Sequence, residues 1–310
     1  MAVLGHDSHA NGIFSLFWSI VWSFKSIHLP MIRIFAGDSW EEVYGIANRE
    51  LDKVKNHLDN LLLSLNVNKC AYMHFSASRA AVPPHLHLII HTCQDQDCNC
   101  LPLTMTGKIK YLGIYLDPLL RWDEHTSFLN KKLRKTIYLF KELSHLLPRS
   151  SLLQAYYSLC QSQLLYGNLG WGGSTKTQLD KLNKTQKLIL RIIHHKPPRY
   201  SSSQLYAESG VLDVRKLYVK TVLIHFRQHP VQFERRNYEY YTRMRSSLLP
   251  PRMHTSFGQR HYLFLAPKFF NLLPDNLKTT FPLTKFKKSV HEWIREMTGE
   301  DVERLFVVPH

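Results

Sequence analysis

The stretch "HLPMIRIFAGDSWEEVYG", His28 to Gly45, reads as a strand running through Phe35, a turn at Gly37-Asp38 and the start of a helix at Trp40. Asp38 is the N-cap or turn residue of that helix. Residues 40–65 continue it: Val43, Ile46, Ala47, Leu51, Val54, Leu58 and Leu61 or Leu62 recur at three- and four-residue steps. "SLNVNKCAYMHFS" then reads as a turn, with Asn66 and Asn68 as turn residues, into a strand. "HLHLIIHTC" and "KIKYLGIYLD" bracket the polar "QDQDCNCLPLTMTG", which predicts a β-hairpin with a long tip. Residues 32–120 are therefore expected to be α+β.

From Asp123 the pattern turns helical. "DEHTSFLNKKLRKTIYLFKELSHLL" runs to Pro148, "RSSLLQAYYSLCQSQLLYG" ends at Gly167, and "STKTQLDKLNKTQKLILRIIHH" starts at an N-cap Ser174 and stops before Pro197-Pro198. Short connections predict a helical bundle. "RYSSSQLYAESG" reads as a loop or linker, a further helix is expected near Val211 to His229, and the last hundred residues as short helices between Pro-containing turns.

Charge divides the 310 residues unevenly. Residues 1–125 hold 10 Lys and Arg against 12 Asp and Glu; residues 126–200 hold 13 against 2, and residues 201–310 hold 17 against 10. The net charge of +16 points to a polyanionic partner, nucleic acid before anionic membrane. Hydrophobic residues, at 44%, supply enough for a packed core. The odd count of five cysteines, without a secretory signal, places the chain in a reducing compartment, nuclear or cytoplasmic and not secreted. The apolar run Ile13 to Phe24 is too short to span a bilayer. It reads as a buried or partner-covered segment, as an interfacial anchor, or as sequence that never packs natively.

Five motifs in order carry a resemblance: "SLNVNKCAYMHF", "KIKYLGIYLDPLLRWDEH", "YGNLGWGG", "LNKTQKLILRII", and "GQRHYLFLAPKFFNLLPDNLK" with "FKKSVHEWI". From about residue 32 to residue 297 the chain resembles the C-terminal half of the reverse transcriptase of a jockey-type non-LTR (LINE-type) retrotransposon. The resemblance implies four segments: a leader foreign to the family, disordered or mis-joined, at 1–31; a palm remnant, one helix plus β-hairpins, at 32–122; a basic helical thumb at 123–200; and a mainly helical C-terminal extension at 201–310. The family is an RNA-directed DNA polymerase using Mg2+.

Phe35-Ala36-Gly37-Asp38 is one residue from Phe-Ala-Asp-Asp, a form of the paired carboxylates of such polymerases. Counted back from Trp40, however, the family's aspartates fall near Leu29 and Pro30, and "FKSIHLPMI" holds no carboxylate. Two-metal phosphoryl transfer needs carboxylates from separate strands. The chain is thus expected to be a truncated, inactive reverse-transcriptase-like protein with no cofactor or metal of its own. Two alternatives stay open: a domesticated RNA- or DNA-binding module, and a polymerase part completed by another chain. No small-molecule substrate is expected.

Lys69 matches the lysine that the family places near the incoming nucleotide; without metal carboxylates it reads as a remnant, an ordinary solvated lysine. Tyr111 and Gly113 match the primer-grip hairpin. The alternation there predicts Tyr111, Gly113 and Tyr115 on one face and Leu112, Ile114 and Leu116 in the core. Cys93, Cys98 and Cys100, with His85, His87 and His91, are spaced poorly for structural zinc. The strongest physical signal is basic: Lys131, Lys132, Arg134 and Lys135 in one helix, and the stripe Lys181, Lys184, Lys187 and Arg191 opposite Leu182, Ile189, Leu190 and Ile193 in another. Such spacing suits the phosphates of an RNA or DNA duplex and carries no base information. Trp171 reads as a wedge between helices, and His194-His195 as a helix end where cations favour the dipole.

Overall fold

A computed structural model describes residues 2–6, 33–76, 82–91, 100–229, 248–253 and 255–307. The chain is α+β, with helices prevailing over a few short strands. It divides into two compact units, Met1–Glu124 and His125–His310. The segments 123–200 and 201–310, separate in the sequence reading, share the second unit from His125 onward.

In the first unit, strands β1 (Ala2–His6), β2 (Arg33–Gly37), β3 (Ala71–Ser76) and β4 (Thr104–Met105) form one sheet in the order β2-β1-β3-β4, every pair parallel. The leader thus supplies a strand to the sheet where the sequence reading gave it no place in the fold. Helix α1 (Trp40–Asn60) joins β2 to β3. Its N-cap is Ser39, whose hydroxyl accepts the Glu42 N–H at 3.2 Å, while the Glu42 carboxylate accepts the Asp38 N–H at 2.9 Å. Asp38 is therefore the residue before the cap. Two first-turn acids, Glu41 and Glu42, suit the helix dipole. Trp40, Val43, Tyr44, Ala47 and Leu51 pack into a core with Phe35, Tyr72, Leu88, Ile90 and Leu103.

The helix stops at Asn60, short of the expected residue 65, because Leu62 takes a left-handed conformation (φ 57°). The Leu63 N–H then closes on the Leu58 carbonyl at 2.9 Å. Leu61 and Leu62 are exposed, so neither belongs to the apolar stripe.

The long hairpin does not form among the described residues. "HLHLII" makes only an isolated bridge, Ile89 to Pro102, held by Asn48, which donates to the His87 carbonyl and accepts from the Ile89 N–H, both at 3.1 Å. The hairpin is instead tight and lies inside "KIKYLGIYL": β5 (Ile109–Tyr111) pairs antiparallel with β6 (Ile114–Leu116). Its two-residue turn has positive φ at both positions, Leu112 (45°) and Gly113 (85°), the signature of a type I′ turn. Gly113 suits that turn; Leu112 does not, since its Cβ crowds the backbone there. Leu112→Asn is expected to raise the unfolding midpoint in urea, by about 1 kcal/mol of stability. A lowered midpoint would mean that the packing of Leu112 outweighs its backbone strain.

After β6, the Asp117 carboxylate accepts the N–H groups of Leu119, Arg121 and Trp122 at 3.1, 3.0 and 2.9 Å. Those bonds fix a loop in which Leu120 and Trp122 both have positive φ.

The second unit continues helix α2 (Asp123–Leu143) and adds α3 (Arg149–Tyr156), a π-turn (Tyr157–Gln161), α4 (Ser162–Leu165), α5 (Asn168–Trp171), α6 (Lys176–Ile193), α7 (Ser202–Ser209), α8 (Val214–Gln228), α9 (Tyr262–Asn271), α10 (Asp275–Lys278), α11 (Leu283–Glu296) and α12 (Gly299–Phe306). Helix α6 is capped by Thr175 through a capping box with Gln178, one residue beyond the expected Ser174, which is buried. The Ser-rich "RYSSSQLYAES", expected as a loop, contains α7, closed by Gly210 in the left-handed region (φ 66°). Helix α8 is central: α4, α5, α6, α9 and α11 pack on it. Leu152, Tyr156, Cys160 and Leu164 are buried on one side of the run from α3 through the π-turn to α4. A fully bonded amide ties α3, α6 and α7: Gln186 Nε2 donates to Tyr156 Oη (2.7 Å) and to the Leu212 carbonyl (2.9 Å), and Gln186 Oε1 accepts from Tyr206 Oη (2.9 Å).

Candidate nucleic-acid interface

Helices α2 and α6 meet where Thr185 Oγ1 donates to Asn130 Oδ1 at 2.7 Å. Their charged faces follow from that contact. On α2, Arg134 stands one turn beyond Asn130, with Lys131 and Lys135 beside it. On α6, Lys181 stands one turn before Thr185, with Lys184 beside it. The apolar residues Leu129, Leu133 and Phe140 of α2, and Leu182, Ile189, Leu190 and Ile193 of α6, are buried. Lys131, Lys132, Arg134, Lys135, Lys181 and Lys184 are exposed and Lys187 is half-buried. None of the ion pairs among the described residues involves these seven side chains. Lys132 Nζ lies 5.1 Å from the Phe128 ring centroid, which keeps it against its own helix.

Arg191 departs from the stripe. Its Nη2 donates to the Tyr200 carbonyl at 3.0 Å, so it braces the loop after α6 rather than standing free. The rest of that loop is clasped by Lys196, Tyr200 and Glu208: Lys196 sits 2.9 Å from the Glu208 carboxylate and 4.4 Å over the Tyr200 ring. Hydrogen bonds from Tyr200 and Lys196 hold the Glu208 carboxyl below its usual range.

One residue that the sequence reading missed belongs to the basic face. Tyr138 is 71% exposed. It lies four residues after Arg134 and three after Lys135, hence on the same side of α2. The spacing "KKLRKTIY" carries that signal, and an exposed ring among lysines is a platform on which a base can stack.

Several sequence-assigned residues lie elsewhere. Tyr111 is 7% exposed and shares a buried face with Ile109, Ile114 and Leu116. The two-residue turn resets the alternation across the hairpin, so Tyr111 and Tyr115 fall on opposite faces. The accessible side carries Lys110 and Tyr115, with Lys110 Nζ 5.7 Å from the Tyr115 ring centroid. Gly113 serves the turn. Lys69 is exposed at the end of a 3-10 turn (Val67–Lys69) that leads into β3.

Trp171 is buried and donates its indole N–H to the Tyr166 carbonyl at 2.9 Å. His194, read as a cation at the end of α6, is also buried. Burial lowers its pKa first, and Arg149 adds to the shift, so the imidazole favours its neutral form. Leu29, Pro30, the run Ile13 to Phe24, Cys93 and Cys98 lie outside the described residues. Among the described residues no group of three or more His, Cys, Asp or Glu side chains could hold a metal ion, and no helix is long and apolar enough to cross a membrane. No family model, curated protein or solved structure matches the chain.

Proposed function

We propose that this chain is a catalytically inactive, reverse-transcriptase-like remnant of a jockey-type non-LTR retrotransposon that binds RNA or DNA duplexes through their phosphates. The remnant reading rests on the order of the sequence motifs and on the lack of carboxylates in "FKSIHLPMI". The observation that carries the binding reading is the set of seven cations on α2 and α6, outside the ion pairs described, flanking the Asn130–Thr185 contact. Cations without acidic partners remain available to phosphate. Each phosphate neutralised releases condensed counterions, so affinity falls with salt at a log–log slope near −0.9 per contact on B-DNA.

The test is an anisotropy titration of a labelled duplex between roughly 50 and 200 mM salt. With about five contacts the affinity is expected to drop a few hundredfold across that range. The triple variant Lys181→Gln, Lys184→Gln, Lys187→Gln should lower the slope by about two to three units with an unchanged circular-dichroism spectrum. An unchanged slope, or binding indifferent to salt, would sink the binding reading. A separate arm addresses inactivity: the purified chain with primed template and Mg2+ is expected to add no nucleotide above a heat-killed control.

A further inference from the structure

Strands β2 and β3 are parallel and joined by α1, yet they do not pair with each other. Ala2–His6 lies between them in one register on both sides, from Ala2 opposite Arg33 and Tyr72 to His6 opposite Gly37 and Ser76. β2 has no other strand neighbour among the described residues, and β3 meets β4 at two residue pairs only. Helix α1 packs on both β1 and β2. Since neighbouring strands lie about 4.8 Å apart, β2 and β3 bound a slot one strand wide. An extended backbone fills such a slot, because both bordering edges offer main-chain N–H and C=O groups that otherwise go unpaired.

The strand in the slot is connected to β2 only through residues 7–32. At about 3.3 Å per extended residue, that connection reaches several times the width of the sheet. No tight turn pins the strand, so it can leave and re-enter while remaining tethered.

We propose that the slot between Arg33–Gly37 and Ala71–Ser76 is a strand-acceptor site. Its ligand is an extended five-residue segment entering parallel to both borders; the chain supplies it as Ala2–His6, and a separate peptide of that sequence can replace it. Main-chain pairing on two edges supplies the affinity, as in other cases of strand addition. The ligand must lack proline, since a central strand uses its N–H groups on both sides. This inference is independent of the nucleic-acid reading.

The test uses the full chain carrying Val3→Pro and Leu4→Pro, which removes one N–H from each side of the resident strand. A fluorescent peptide Ala-Val-Leu-Gly-His is titrated and followed by anisotropy. The variant is expected to bind it saturably and at least tenfold more tightly than the unaltered chain, whose slot is filled. The same peptide with proline in place of leucine should not bind. A folded variant that ignores the peptide overturns the proposal. Should the variant be unfolded, hydrogen exchange in the unaltered chain decides. Protection of Ala2–His6 that is lost together with that of Arg33–Gly37 supports the slot; unprotected Ala2–His6 amides beside protected β2 and β3 overturn it.

Discussion

Gly173→Ala is expected to destabilise the second unit by about 3 kcal/mol or more, at the upper end of overpacking costs. A Cβ at Gly173 would stand 2.1 Å from the Arg260 carbonyl oxygen, a backbone atom that no side-chain rotation can move, and 3.1 Å from Tyr218 Oη. Gly172 is as confined, 2.0 Å from Asn168 Oδ1 and 2.4 Å from the Tyr218 ring. These glycines let the turn before α6 press against α8 and against the segment entering α9. The buried Arg215 holds the same junction: Nη1 donates to the Ser174 carbonyl at 2.7 Å, and the guanidinium lies 3.7 Å from the Phe306 ring centroid. Because the obstacle is main chain, relief requires α8 and the 258–261 segment to separate, with loss of contacts around Tyr218. The measurement is the urea midpoint of the variant; a midpoint unchanged within error would mean that the close approach carries no stability. "YGNLGWGG" thus earns its glycines from packing.

The second large effect is acid unfolding. Burial pushes His125, His225 and His261 down to about 4, with Lys132 adding to the shift at His125 and His229 at His225. In the unfolded chain each titrates near 6.5. As pH falls from about 6.5 to about 4, the unfolded chain therefore takes up protons that the folded one refuses, and stability declines. All of the stability is present above about pH 6.5. At pH 4 the loss is on the order of 3 kcal/mol apiece for His125 and His261, with a smaller term in the same direction from the more accessible His225.

His261 has a second reason to resist protonation. It caps α9 by accepting the Leu263 N–H on Nδ1 at 3.4 Å, at the helix end whose dipole repels a cation. His261→Asn keeps an acceptor without the titration. The variant's acid midpoint, followed by circular dichroism, should move to lower pH. A midpoint that stays in place would remove His261 from the causes.

The local structure of the chain was legible where side chains act on their own neighbours. The start of α1 follows from Ser39 and Glu42, and the amphipathic α2 and α6 from the spacing of Leu129, Leu133, Leu182 and Ile189. What could not be read depended on partners distant in sequence. Nothing local in Ala2–His6 marks it for the middle of a sheet, because parallel pairing is set by the strands on either side. Alternation misplaced Tyr111 because a two-residue turn restarts the count. Serines concealed α7, whose Leu205 is drawn in by the core. On the basic face the cations were legible as a charge imbalance. The brace from Arg191 was not, since it depends on where the next loop brings the Tyr200 carbonyl; Tyr138 was present in the spacing and went unread.

The π-turn at Tyr157–Gln161 has a consequence for how this sequence tolerates length change. Residues repeated every four positions drift about 40° around an α-helix at each step. Leu152, Tyr156, Cys160 and Leu164 follow that repeat, yet all four remain buried. The widened turn unwinds the drift. Removing a single residue within 157–161 would restore a regular helix and rotate everything after it by about 100°, carrying Leu164 outward with little change in length. In this segment a one-codon deletion acts as a screw rather than as a shortening, and its damage would appear in the contacts of Leu164 and Asn168 rather than at the site of the cut.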